Sequence, residues 1–244
     1  MRLIEMNWPE VEAYLEIDNR IILPIGSTEQ HGPRAPLGTD HRIVHALARE
    51  LSARTGVITA PTIPFGMSIH HMEFPGTLTL NPSTMILMLK DVLTSLDYHG
   101  FRSVLLLNGH GGNRGVLTAA LSEITNSLRR LRVRFVCWWD TDGVREMIRE
   151  MFGSQDGHHS TPSEISLMMH FYKDFVKDLQ LGYHPMPERN HFSNPDNFRE
   201  LFPDGIMGAN PDLATPEHGR ALAEKILSSL EIELEKLAKK PMQA

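Results

Sequence analysis

Apolar residues fall along the chain in two kinds of run, short unbroken ones and longer ones with helical spacing, and the two alternate. Ile21-Ile22-Leu23, within Arg20 to Pro24, is short enough to be a buried strand. Val57 to Ala60 reads as a second strand, Arg132 to Trp138 as another, and Thr77 to Leu80 as a short one. Ser103 to Leu107 is unbroken in its apolar character, as expected at the centre of a parallel sheet. Helices are expected over Trp8 to Leu15, over Arg42 to Thr55 with a start near Thr39 or Asp40, and over Arg114 to Leu131. Another runs from Asn81-Pro82, with Pro near N1, to His99, where Gly100 is a natural stop. Further helices end near Phe152, continue from Thr161-Pro162-Ser163-Glu164 to Tyr172, and run from Thr215-Pro216-Glu217 to about Leu237 before a frayed KKPMQA tail. Residues 182–213, rich in Pro, Asn, His and Gly, follow neither period and read as an irregular lid or interface segment. The alternation predicts a layered α/β protein with a mostly parallel sheet, within reach of one domain over residues 1–244.

Composition narrows the class. A 41% hydrophobic and 22% charged chain of 244 residues has ample material for one core. The net charge of −6 argues against a nucleic-acid partner. Cys137 is the only cysteine, so no intrachain disulfide forms, which fits a cytoplasmic protein; in its apolar run it reads as a core thiol. The N-terminus lacks a signal-peptide pattern, and no segment approaches the ~20 apolar residues of a membrane span.

The 13 histidines matter more by place than by number. The loop from Pro24 to His41 brings Glu29, His31, Asp40 and His41 close together in sequence among Gly and Pro residues that bend the backbone. Carboxylates and imidazoles suit Zn, Mn or Fe(II). The plain alternatives are that Asp40 or Thr39 caps the helix and that Glu29 and His31 are solvated. Four loops carry such residues, 24–41, 61–77, 108–113 and 139–164, and in a parallel sheet they emerge at one edge. Glu29, His31, Asp40, His71, His110, His159 and Glu164 could therefore converge on a pair of divalent ions. His70 and His99 read as ordinary loop or surface histidines, and His41 as a helix residue just past the site. The Asn108-Gly109-His110-Gly111-Gly112-Asn113 turn lacks the Lys and Ser/Thr of a phosphate loop.

These motifs together resemble the creatininase (creatinine amidohydrolase) family. The resemblance rests on Glu29-Gln30-His31-Gly32-Pro33 with Asp40, His71-x-x-Phe74-Pro75-Gly76-Thr77, Asn108 to Asn113, His159 with Glu164-Ile165-Ser166, and Met207-Gly208 followed by Ala214 to Gly219. It implies a three-layer α/β/α sandwich and a binuclear hydrolase of a cyclic amide or formamide C–N bond, acting through metal-activated hydroxide. By similarity Glu29, Asp40 and His110 would hold one ion, and His31, Asp40 and a further Glu the other. In creatininase that Glu lies two residues after the His of the NGH motif; Gly112 stands there in this chain, so the role passes to Glu164. The resemblance makes His159 a proton-transfer group and gives Glu164 a catalytic part. Ser68, His71, Trp139 and Gly111 would face a small-molecule amide. It also implies a homo-oligomer, a hexamer in the family. Creatininase grips its ring with tryptophans, and the 153–163 loop has none, which counts against creatinine itself. The alternatives are a metal-dependent hydrolase or isomerase of an oxidised sugar or inositol, and a non-catalytic binding protein.

Overall fold

The computed structural model describes residues 1–188, 191 and 194–238. Four parallel strands, β1 (Arg20–Ile25), β2 (Ile58–Thr59), β3 (Ser103–Asn108) and β4 (Arg132–Cys137), lie in the order β2-β1-β3-β4. Parallel neighbours require crossovers, and helices supply them. These are α1 (Trp8–Leu15), α2 (Thr39–Thr55), α3 (Pro82–His99), α4 (Asn113–Ser127), α5 (Val144–Phe152), α6 (Pro162–Tyr172), α7 (Pro195–Leu201) and α8 (Pro216–Ala238).

Side-chain alternation along β1 and β3 divides the core into two. Ile21, Leu23, Ile25, Val104 and Leu106 pack with Tyr14 of α1, Leu89 and Leu93 of α3 and Leu117 of α4. Ile22, Leu105 and Leu107 face the other way, onto α2, α5, α6 and α8. The result is the three-layer α/β/α sandwich. Glycines stop α2 and α3 in left-handed conformations, Gly56 at φ 74° and Gly100 at φ 104°. Reciprocal capping boxes start α1 at Asn7–Glu10 and α6 at Thr161–Glu164.

Three expectations are corrected. Residues 77–80 form no strand: Leu78 bridges Thr28 and Thr79 bridges Gly66 singly, because the loops there run across the sheet edge. Helix α4 ends at Ser127 rather than Leu131. The 182–213 segment is not wholly irregular, since Asn194 caps α7 with Pro195 in its first turn. The expected fraying of KKPMQA lies outside the described residues. Helix α8 turns Leu222, Ile226, Leu230 and Leu234 into the core, so that apolar stripe is used within the chain. Among the described residues no helix is long and apolar enough to cross a membrane.

Candidate metal centre

Strands β1 and β3 end side by side, and the turns that follow them bring the ligand-type residues together. Asn113 fastens these turns: its amide donates to the Gly26 carbonyl (3.0 Å) and to Asn108 Oδ1 (3.1 Å), and it accepts the Met67 N–H (2.9 Å). Asp40 does not cap α2. Gly38 occupies that position, and the buried Asp40 side chain points inward from the first turn.

Three overlapping groups of donor atoms result, each with its members within 4.8 Å of one another: Glu29, Asp40 and His110; His31, Asp40 and Glu164; and Glu29, His31 and His159. Asp40 belongs to the first two through different oxygens. Its Oδ2 lies 3.1 Å from His110 Nδ1, and its Oδ1 lies 3.0 Å from His31 Nε2. The second nitrogen of each of these histidines is committed elsewhere. His110 Nε2 donates to the Met67 carbonyl (3.0 Å), and His31 Nδ1 to the Glu29 carbonyl (3.2 Å). A carbonyl only accepts, so both rings turn an unprotonated edge toward Asp40 when neutral, the arrangement that orients metal-binding imidazoles.

Six buried side-chain polar atoms lack a hydrogen-bond partner among the described residues, and four are here: both Glu29 carboxylate oxygens, His31 Nε2 and Asp40 Oδ2. Such concentration marks a place for a ligand. Carboxylate and imidazole donors fit divalent Zn, Mn or Fe. Burial alone would raise the Glu29 carboxyl, but His110 and then His71 outweigh it and hold it well below the usual carboxylate range. Asp40 is likewise held low, by His31 and His110 against the effect of burial. In return, and against burial, Asp40 lifts His31 to about 10, and Glu29 and Asp40 lift His110 well above the ordinary imidazole value. Burial raises Glu164 to about 7. Its Oε2 accepts the Thr161 N–H and hydroxyl, both at 2.9 Å, which leaves its other oxygen outside the cap.

His159 and His71 complete the walls. His159 Nε2 donates to the Gln30 carbonyl (2.7 Å), and its Nδ1 lies 3.7 Å from Glu29 Oε1. Burial, reinforced by His31, lowers it to about 4. Gln30 fixes His71. Its Oε1 accepts the Gly32 N–H (2.9 Å), so its Nε2 is the donor, to the Gly205 carbonyl (3.0 Å) and to His71 Nδ1 (2.9 Å). His71 therefore carries its proton on Nε2, 3.6 Å from Glu29 Oε1. Gln30 was not legible as a functional residue, since the sequence shows only a Gln between two candidates.

These residues enclose a chamber of about 190 Å3, lined also by His70, Gly111, His158 and Met207. His70, expected to be ordinary, is on its wall. Ser68 is not: it is fully buried behind His110, against Ser27 Oγ (2.5 Å) and His110 Nε2 (3.3 Å). His41 lies outside the groups, with its Nδ1 3.2 Å from the Ser27 carbonyl. Trp139 and Gly111 line an adjoining chamber. From the described part of residues 182–213, Met207 lines the centre and Phe198 of α7 stands edge-on to His71 at 4.7 Å.

The family model described as creatinine amidohydrolase matches residues 4–232. The chain belongs to the creatininase family. It is similar to creatinine amidohydrolase of Pseudomonas putida, with 27% identity over 196 residues that cover 74% of this chain and 75% of that protein. It is similar also to a mycofactocin precursor peptide peptidase of Mycobacterium ulcerans, with 29% identity covering 83% of this chain and 79% of that one. A solved manganese form of creatininase has the same fold, at a TM-score of 0.88 and 24% identity, covering 97% of this chain and 98% of that one. These relatives are named hydrolases, and the chain is a creatininase-family hydrolase with clustered candidate metal ligands. A Cβ on Gly112 would stand 2.4 Å from both His110 Nε2 and the Met67 carbonyl oxygen, so a side chain there displaces the bond that orients His110.

Proposed function

We propose that this chain is a binuclear metal-dependent amidohydrolase that cleaves a non-peptide C–N bond, in a cyclic amide or a formamide. The observation that carries the reading is Asp40, which offers one oxygen to each of two three-residue groups. Glu29, Asp40 and His110 would hold one divalent ion, and His31, Asp40 and Glu164 the other. The ions would polarise the scissile carbonyl and supply hydroxide at neutral pH.

The chain's own residues do the rest. Met67 and the backbone of Glu29 hold the His110 and His31 rings so that the ligand nitrogens face the carboxylates. Ser68 supports His110 from behind. His159 Nδ1 has a lone pair facing the chamber, takes the proton given up by the attacking water and passes it to the leaving nitrogen. His71 Nε2–H, fixed by Gln30, is a donor for the substrate oxygen. Phe198 and α7 exclude water from the His71 side.

Ring opening of a panel of lactams and cyclic ureas, followed as the open-chain product, and formate release from formamides, with Zn, Mn or Fe(II) supplied, test the reading. Turnover of one class, abolished in Asp40→Ala, supports it. Turnover that survives in Asp40→Ala removes it.

A further inference from the structure

The inner chamber shares part of its wall with a neighbour. Gly111, His158 and Glu164 line it and also line a second, outer chamber of about 440 Å3. The wall of the outer chamber carries three arginines, Arg114, Arg145 and Arg149, beside the half-buried ring of Trp139. Arg145 and Arg149 are one turn apart on α5 and share a face with Ile148 between them. Arg114 comes from the first turn of α4. The chain spacing between Arg114 and the α5 pair conceals their convergence.

Asp140 braces two of the three. Arg145 Nε donates to its Oδ1 at 2.6 Å, and Arg114 Nη2 pairs with its Oδ2. One carboxylate thus holds two guanidiniums and leaves most of their N–H groups unused. Arg149 has no ion-pair partner among the described residues. The two acids that line the chamber accept hydrogen bonds from neighbours on the same wall. Asp156 accepts the Ser163 N–H and hydroxyl, both at 3.1 Å, and Glu164 accepts from Thr161.

Exposed ion pairs such as those of Arg114 and Arg145 with Asp140 add little to stability, and a cation in the first turn of a helix opposes the helix dipole. Helix α4 also starts without a side-chain cap, so its N-terminal field adds to that of the arginines. Guanidinium forks match the planar or tetrahedral oxygens of a carboxylate or phosphate. We infer that the outer chamber receives an oxyanion carried by the substrate, a carboxylate or a phosphate ester, while the bond to be cleaved enters the inner chamber past Gly111, His158 and Glu164. This rests on the amidohydrolase reading for what lies in the inner chamber, and it makes the substrate an acidic amide rather than a neutral ring.

The test uses the full chain loaded with metal, titrated separately with inorganic phosphate and with acetate at fixed low salt, and followed by tryptophan fluorescence and calorimetry. The inference expects saturable binding of at least one anion, weakened roughly tenfold to a hundredfold in Arg149→Gln and in Arg114→Gln, and retained in Asp40→Ala. The tighter anion tells a phosphate ester from a carboxylate. Binding that is absent, or unchanged in both arginine variants, overturns it, as does binding lost only in Asp40→Ala, which would put the anion on the metals. Among amides the chain hydrolyses, the charged member of a matched pair is preferred, and Arg149→Gln narrows that preference. Arginine-dependent anion binding with no amide turned over removes the hydrolase reading and leaves the anion chamber standing.

Discussion

The apolar faces of the sheet and its carboxyl edge grow from the same strands on opposite terms. On the faces, Ile21, Ile22, Leu105 and Leu106 are fully buried among other apolar side chains. At the edge, a few residues further along, Glu29, His31 and Asp40 are as deeply buried and hold four polar atoms without a hydrogen bond. Burying carboxylates and imidazoles together costs stability that burying aliphatic side chains does not, and the apolar faces provide the rigidity that keeps them in place.

The contrast predicts that substitutions at the two regions fail in different ways. The largest effect is expected from Asp40→Ala, which removes the side chain common to both groups. Metal content and turnover should both be lost, turnover by roughly a thousandfold or more, while the circular dichroism spectrum stays that of a folded α/β protein. Leu106→Ala should do the reverse. It opens a cavity on one face and costs about 2–5 kcal/mol in urea unfolding, yet folded protein at low temperature keeps its metal. A carboxylate or imidazole variant that cost stability alone, with metal retained, would erase the distinction.

Gln30→Ala probes the layer between the two regions. It frees the His71 ring without touching a candidate ligand, so turnover should fall by roughly tenfold to a hundredfold at unchanged metal content. The smallest effect concerns Asp156, at the rim. Burial lifts its carboxyl from 3.8 to about 6. The folded chain therefore binds that proton more tightly than the unfolded chain does, and stability falls as pH rises across that interval. Asp156→Asn should gain about 1–2 kcal/mol at pH 7, after allowance for partial solvent access, and nothing below about pH 4. Denaturant melts at the two pH values check it.

Parts of this contrast were legible in the chain itself. Ser103–Leu107 and Ile21–Leu23 read as buried strands, and their alternation with helical runs led to the parallel sheet that the structure has. The clustering of Glu29, His31, Asp40 and His110 followed, because loops after parallel strands share an edge. Asp40 was ambiguous between cap and ligand, since both roles place an acid in the first turn of a helix, and only the turn of its side chain separates them. Helix α7 was hidden by its Pro- and Asn-rich surroundings, which also form its cap. His70 and the three arginines gave no periodic or motif signal, and Gln30 lay within a motif without a role of its own, because what joins them to the site is contact across distant stretches of chain.

Elemental analysis of the purified wild-type chain beside Asp40→Ala and Glu164→Gln tests the central claim most directly. The account predicts close to two divalent ions per wild-type chain, none in Asp40→Ala and one in Glu164→Gln. A wild-type chain that takes up neither Zn, Mn nor Fe(II), or an Asp40→Ala chain that keeps both ions, would contradict it.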